Sequence, residues 1–185
     1  MHPGRWLWIV VAISFWILLG LLQNAWYYPR LPEQVAIHFN AAGKADSWAS
    51  KFHATLLMLG LQIALPVLLL LTSQLTRSLP IHWINLPHRE YWLAPERREA
   101  TLISMERFLW WIAMATSLWI LVVNHLTFMA NVSGENLSLI PFLVGLATYM
   151  AIVLCLAGGL VWKFRLPRHQ ISSSLTTQHN RTKGK

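Results

Sequence analysis

His38, Asn40 and Asp46 fall within nine residues of one another in a polar stretch, and Asn124 and His125 stand side by side late in an apolar one. Imidazole, amide and carboxylate groups can bind a ligand, hold a metal or move a proton. Together with His53, the histidines His38 and His125 could offer ring nitrogens to zinc, nickel or copper. None of them has the local spacing of a ligand set, so no metal is expected. Glu33 and Asp46 share one polar stretch but stand thirteen residues apart, which does not mark a catalytic pair. There is no Gly-rich phosphate loop, no His-Glu-x-x-His helix and no Gly-x-Ser-x-Gly elbow. No catalytic residue and no cofactor are assigned, and an enzyme is not expected. His38, Asn40, Asp46, Asn124 and His125 are read as ligand- or partner-binding residues.

The stretch Pro29–Lys51 must position the first three. Val35, Ile37 and Phe39 alternate with Ala36, His38 and Asn40, the period of a strand with one apolar face, so a small β element is expected at 35–40. Pro29 and Pro32 discourage a helix before it. Asn40-Ala-Ala-Gly43 reads as a turn, with Gly43 the residue that needs positive φ. Asp46, Ser47 and Ser50 are each candidate caps for a following helix. The stretch is therefore an ordered cap between two apolar segments. If its polar face turns toward the helices, His38 and Asn40 complete a pocket with His125. If the apolar face turns that way, they look outward and serve a partner.

Composition sets the class. The 185-residue chain is 55% hydrophobic and 12% charged, more apolar surface than one small core can bury, which points to a bilayer. The formal charge is +8, but the basic residues flank apolar runs, so anionic lipid headgroups rather than nucleic acid are their expected partners. The lone Cys155 excludes an intrachain disulfide. Four spans are expected, at about 6–28, 53–76, 108–130 and 139–162, within one membrane domain 1–162. The first is longer than a signal-peptide core and reads as a retained span. Pro66 is expected to kink the second. Pro95 should open a helix that runs unbroken into the third. Residues 163–185 read as a basic, disordered tail.

No Asp, Glu, Lys or Arg falls inside these spans, which weighs against a pump. Gln23, Asn24, Gln62, Asn124 and His125 are the polar residues at membrane depth. They serve either helix–helix hydrogen bonds or a pocket under the cap. Small residues four apart, at Gly60 and Ala64, at Ala113 and Ser117, and at Ala147, Ala151, Cys155 and Gly159, mark expected helix contacts, within the chain or between copies.

Two motifs carry a resemblance. The first is Leu31-Pro-x-x-Val35-x-Ile37-His38-Phe39-Asn40-x-x-Gly43-x-x-Asp46-x-Trp48-x-Ser50-Lys51, and the second is Asn85-x-Pro87-x-x-x-Tyr91-Trp92-Leu93-Ala94-Pro95-Glu96-Arg97. Together they resemble the bacterial membrane family known as domain of unknown function 1648, over roughly the first 110 residues. Pro32, Gly43, Trp48, Asn85, Pro87, Tyr91, Trp92 and Pro95 are its structural motif residues. The resemblance implies a multi-pass protein of the bacterial inner membrane, with no enzymatic activity attached. The domain is shared with the N-terminal part of sporulation-killing-factor immunity proteins, which have more spans than are counted here.

The expected architecture is an all-α integral membrane protein of four helices with a short ordered extracytoplasmic cap. The expected function is a non-enzymatic binding, immunity or signalling accessory module with a membrane or secreted protein partner. A small transporter or channel subunit is the alternative. With both termini inside, inner segments carry twelve Lys and Arg residues and outer loops three, Arg30, Lys44 and Lys51, which sets the orientation. Single cysteines at Lys44 and at Arg98, in a Cys155→Ala background, are expected to label oppositely with an impermeant maleimide on spheroplasts. Lys44 should react and Arg98 should be protected; the reverse pattern would invert the topology.

Overall fold

The computed structural model describes residues 3–165; most of the basic tail expected at 163–185 lies outside them. In chain order the elements are α1 (Pro3–Tyr27), β1 (Gln34–Phe39), β2 (Ala45–Ser50), α2 (Lys51–Ser78), the one-turn α3 (Arg89–Trp92), α4 (Pro95–Ser133) and α5 (Leu139–Lys163). Among the described residues four segments are long and apolar enough to cross a bilayer: Val10–Arg30, Lys51–Ser78, Pro95–Ser133 and Leu139–Lys163. At about 1.5 Å of rise per residue, each exceeds the roughly 20 residues that the hydrocarbon requires. This is a multi-pass membrane protein by the length and composition of its helices. α4 is central, with α1, α2 and α5 all packed against it. Its 39 residues begin at Pro95, whose fixed φ suits a first turn, and are closed by the following Gly134, left-handed at φ 71 with its N–H donating to the Ala130 carbonyl.

Between α1 and α2 the chain forms an antiparallel hairpin. Its turn follows from Asn40. The Asn40 Oδ1 accepts from the N–H groups of Ala42 (2.9 Å) and Lys44 (3.1 Å), and Gly43 takes φ 74. The reversal lays residues 45–50 beside β1. Asp46 and Ser47 therefore belong to β2 and do not cap a helix, contrary to the expectation. Ser50 does cap: its Oγ accepts from the His53 N–H at 3.4 Å as α2 begins. The pairing shifts register on both sides of His38, which interrupts strict alternation.

Hydrophobic clusters sit at the two ends of the helices. At the hairpin end, Leu31, Val35, Ala54, Met58 and Phe128 are buried together, with Tyr27, Ile37 and Ala49 against them. At the opposite end, Ile84, Leu86, Leu93, Leu102 and Phe164 do the same. There the motif residue Trp92 donates from Nε1 to the Phe164 carbonyl (2.8 Å), tying the start of α4 to the end of α5. Tyr91 is half-buried beneath the Arg97 guanidinium, and Asn85, Pro87 and Pro95 are exposed. Arg77, in the last turn of α2, bonds Glu106 of α4 at 2.7 Å and Glu99 at 3.1 Å.

The helix contacts differ in part from the small-residue pattern. Ala113 and Ser117 are buried against neighbours, but Gly60, Ala64, Ala147, Ala151, Cys155 and Gly159 are exposed. Spacing of four marks a face without saying which neighbour it meets. Large side chains decide that here: a Cβ on Gly20 would stand 2.8 Å from Gln62, and one on Gly145 would stand 2.6 Å from Trp119. α2 continues as helix through the buried Pro66.

Gly43 also couples the hairpin to the loop between α4 and α5. Its carbonyl accepts from the Leu137 N–H at 2.9 Å, and a Cβ there would lie 2.7 Å from the Leu137 oxygen. Gly43→Val therefore meets both a strained φ, of about 1–3 kcal/mol, and a backbone collision. It is expected to speed amide exchange and proteolysis across residues 34–50 while helix content by circular dichroism stays unchanged. Wild-type exchange rates in Gly43→Val would show that the turn does not depend on glycine.

Candidate functional site

The hairpin has two sides with different chemistry. Its inner side begins with Val35, at 0% exposure the centre of the cluster between α1, α2 and α4. Beside it the polar edge of β1 needs partners, because Ala36 is 4% exposed and a buried backbone pair left unbonded is costly. Asn131, near the end of α4, supplies both. Its Oδ1 accepts from the Ala36 N–H at 2.6 Å, and its Nδ2 donates to the Ala36 carbonyl at 3.0 Å and to the Thr127 carbonyl at 2.9 Å. One side-chain amide thus imitates one residue of a third strand.

The outer side carries three of the predicted residues. His38 Nδ1 donates to Asp46 Oδ1 across the strands at 2.5 Å, with both side chains open to solvent at 68% and 43% exposure. Trp48, on β2, is 55% exposed. Asn40 lies in the turn, its side-chain oxygen already shared between two backbone N–H groups. Pro32 is exposed at the entry to β1.

Asn124 and His125 are not part of this surface. Asn124 is 4% exposed and donates from Nδ2 to the Met58 carbonyl at 3.4 Å, joining α4 to α2. His125 Nδ1 hydrogen-bonds the Tyr27 hydroxyl at 2.9 Å, joining α4 to α1. His53 pairs with Ser50, Oγ to Nδ1 at 2.7 Å. The three histidines therefore have three different partners, and among the described residues no group of three His, Cys, Asp or Glu could hold a metal ion. The pocket of His38, Asn40 and His125 beneath a polar cap is not formed. The apolar face of β1 turns toward the helices because Val35 and Ile37 have an apolar cluster to enter and His38 does not.

At the level of the hairpin, aromatic rings and cations pair around the helix ends. The Arg30 guanidinium lies 4.0 Å from the Trp26 ring centre and the Lys51 ammonium 4.8 Å from that of Tyr28. Trp26, Tyr28 and Phe52 are exposed, the composition of a membrane–water boundary.

Asn131 was not among the residues singled out for binding, although a signal existed. Trp110, Ser117, Asn124 and Asn131 recur every seven residues along α4, two turns apart on one face. A polar series of that period within an apolar helix marks the side that meets other protein.

Residues 15–63 match the family described as Domain of unknown function (DUF1648). They take in the second half of α1, the hairpin and the first half of α2, and so include Pro32, Gly43 and Trp48 but not Asn85 to Pro95. No curated protein and no solved structure matches the chain.

Asn131→Leu would leave the Ala36 N–H and carbonyl buried and unbonded, at about 1–3 kcal/mol for each group. The hairpin is expected to detach locally, with exchange at Val35–Ile37 faster by at least about tenfold, since 1.4 kcal/mol is a factor of ten. Asn124→Leu, lower on the same face, should leave that exchange unchanged. Equal protection in Asn131→Leu and wild type would show that the amide does not hold the strand.

Proposed function

We propose that this protein is a non-enzymatic binding module of the bacterial inner membrane, which presents the outward side of its hairpin to a membrane or secreted protein partner. Both termini are cytoplasmic in this reading and the hairpin is extracytoplasmic. The excess of basic residues in the segments assigned to the other side supports that orientation. An immunity or signalling accessory role is the specific form it takes in this reading.

One observation carries the reading. The hairpin spends its apolar side on anchoring itself, and what remains outward is a polar pair, His38 and Asp46, beside an exposed tryptophan. Tryptophan is among the residues most enriched at interface hot spots. β2 is also the free edge of a two-stranded sheet, so an extended segment of the partner can add backbone hydrogen bonds beside Trp48. The groups that could perform chemistry are instead engaged locally: His38 with Asp46, His53 with Ser50, His125 with Tyr27.

A photocrosslinking phenylalanine derivative at Trp48 is expected to trap one defined protein partner in intact cells, identified by mass spectrometry. The same probe at Trp83, at the opposite end of the helices, should not trap it. Asp46→Ala should lower the yield about tenfold, the effect of a contact worth roughly 1.4 kcal/mol. Adducts with phospholipid alone at Trp48, or solute flux through the purified protein in proteoliposomes, would overturn the binding reading in favour of lipid contact or transport.

A further inference from the structure

Near the middle of the membrane-spanning region, α1, α2 and α4 meet around Gln62, which is 1% exposed. Its position eleven residues into α2 sets it about 16 Å from the start of that helix, half the thickness of a hydrocarbon core. The Gln62 Nε2 donates to the Ser117 carbonyl at 3.3 Å, but its Oε1 is buried with no protein partner. That assignment of the amide is fixed by its neighbour: the reverse would set two carbonyl oxygens against each other. Among the other buried side-chain groups without a partner are the indole N–H of Trp16 on α1 and that of Trp110 on α4. Trp16, Gln62 and Trp110 all line one crevice, with Ile17, Pro66 and Ser117 among its other walls.

An unsatisfied donor or acceptor in hydrocarbon costs several kcal/mol, and lipid chains cannot relieve it. Three such groups around one crevice are complementary in kind: two donors and one acceptor. A hydroxyl oxygen accepts two hydrogen bonds and donates to a third group, which is the average complement of a buried water. The crevice has a volume of about 10 Å³, room for one molecule of that size.

We propose that this crevice is a specific water site at the membrane centre, in which one ordered water accepts from the indoles of Trp16 and Trp110 and donates to the Gln62 carbonyl. The water joins α1 to both α2 and α4 at a level where no direct side-chain hydrogen bond ties α1 to either among the described residues. It explains why a glutamine and two tryptophans, rather than leucines, meet at this depth.

The test uses the full chain in phospholipid nanodiscs, with tryptophan labelled at the indole nitrogen and the Trp16 and Trp110 signals assigned through Trp16→Phe and Trp110→Phe. Both indole protons are expected to show magnetisation transfer to water with the sign of a long-lived bound molecule. In Gln62→Leu both transfers should be lost while the other indole signals keep their positions. Transfer to lipid chain protons with none to water, already in the wild type, would overturn the proposal without recourse to any variant. Retention of both water transfers in a folded Gln62→Leu protein would also overturn it, because the water would then not depend on the glutamine.

Discussion

The two hydrogen bonds from the Asn131 amide to the backbone of Ala36 are the interaction on which the hairpin depends. A two-stranded hairpin is marginal on its own in water. This one becomes a fixed part of the protein because β1 is bonded on both edges, by β2 and by the side chain of a helix. The same contact fixes which side of β1 faces the helices. With Ala36 held by Asn131, Val35 enters the cluster of Leu31, Met58 and Phe128, and His38 is left outside. Gly43 repeats the arrangement at the far end of the hairpin, where its carbonyl receives the Leu137 N–H. The hairpin is thereby attached to α4 and to the loop that leads into α5, as well as to α1 and α2 by the chain itself.

The location of these contacts follows from the solvent. Within a bilayer, apolar side chains gain nothing by leaving lipid for protein, so the hydrophobic effect cannot hold helices together there. Clusters at the two ends of the helices, in or near water, can use it; burying a leucine or phenylalanine is worth about 1.5–3 kcal/mol. Both clusters in this protein lie at such ends, and each is reinforced by polar contacts: Asn131 and Gly43 at one, and Arg77 with Glu106 and Trp92 with Phe164 at the other. Between them the helices meet through small residues and single polar groups. Gly20 admits Gln62, Gly145 admits Trp119, and Thr116 reaches the Tyr149 hydroxyl at 3.1 Å.

How far the sequence shows this structure depends on where the information lies. The four long apolar helices and β1 are legible because local composition and period determine them. Ser50 is legible as a cap, since the helix start needs an acceptor and Ser50 stands at it. β2 is not, because Ala45 to Ser50 contains no β-branched residue and only Trp48 favours a strand; its conformation comes from pairing with β1. The outward direction of His38 is equally illegible. It depends on contacts 95 residues away in the chain, between Ala36 and Asn131, which neither the strand period nor the turn residues contain. The small-residue faces of α2 and α5 fail for a related reason. Spacing identifies a face, and only the large side chain of a neighbour determines whether that face is covered.

Anchorage and presentation are therefore divided between the two sides of six-residue strands. Val35, Ile37 and Ala49 pack into the cluster that the helices complete, while His38, Asp46 and Trp48 remain exposed. His38 and Asp46 do contribute a cross-strand bond, but an exposed pair of this kind is worth about 1 kcal/mol or less. That is small beside two buried backbone bonds and a fully buried valine. Trp48 makes a stronger point. More than half of its surface is exposed, beside the His38–Asp46 pair, and tryptophan is among the residues most enriched at interface centres. Trp26, Tyr28 and Phe52 are exposed at the helix ends, where aromatic rings suit a membrane–water boundary. Trp48 belongs instead to the strand that carries Asp46, at the edge of a two-stranded sheet, and it is this association with a polar pair on which the proposed protein partner rests.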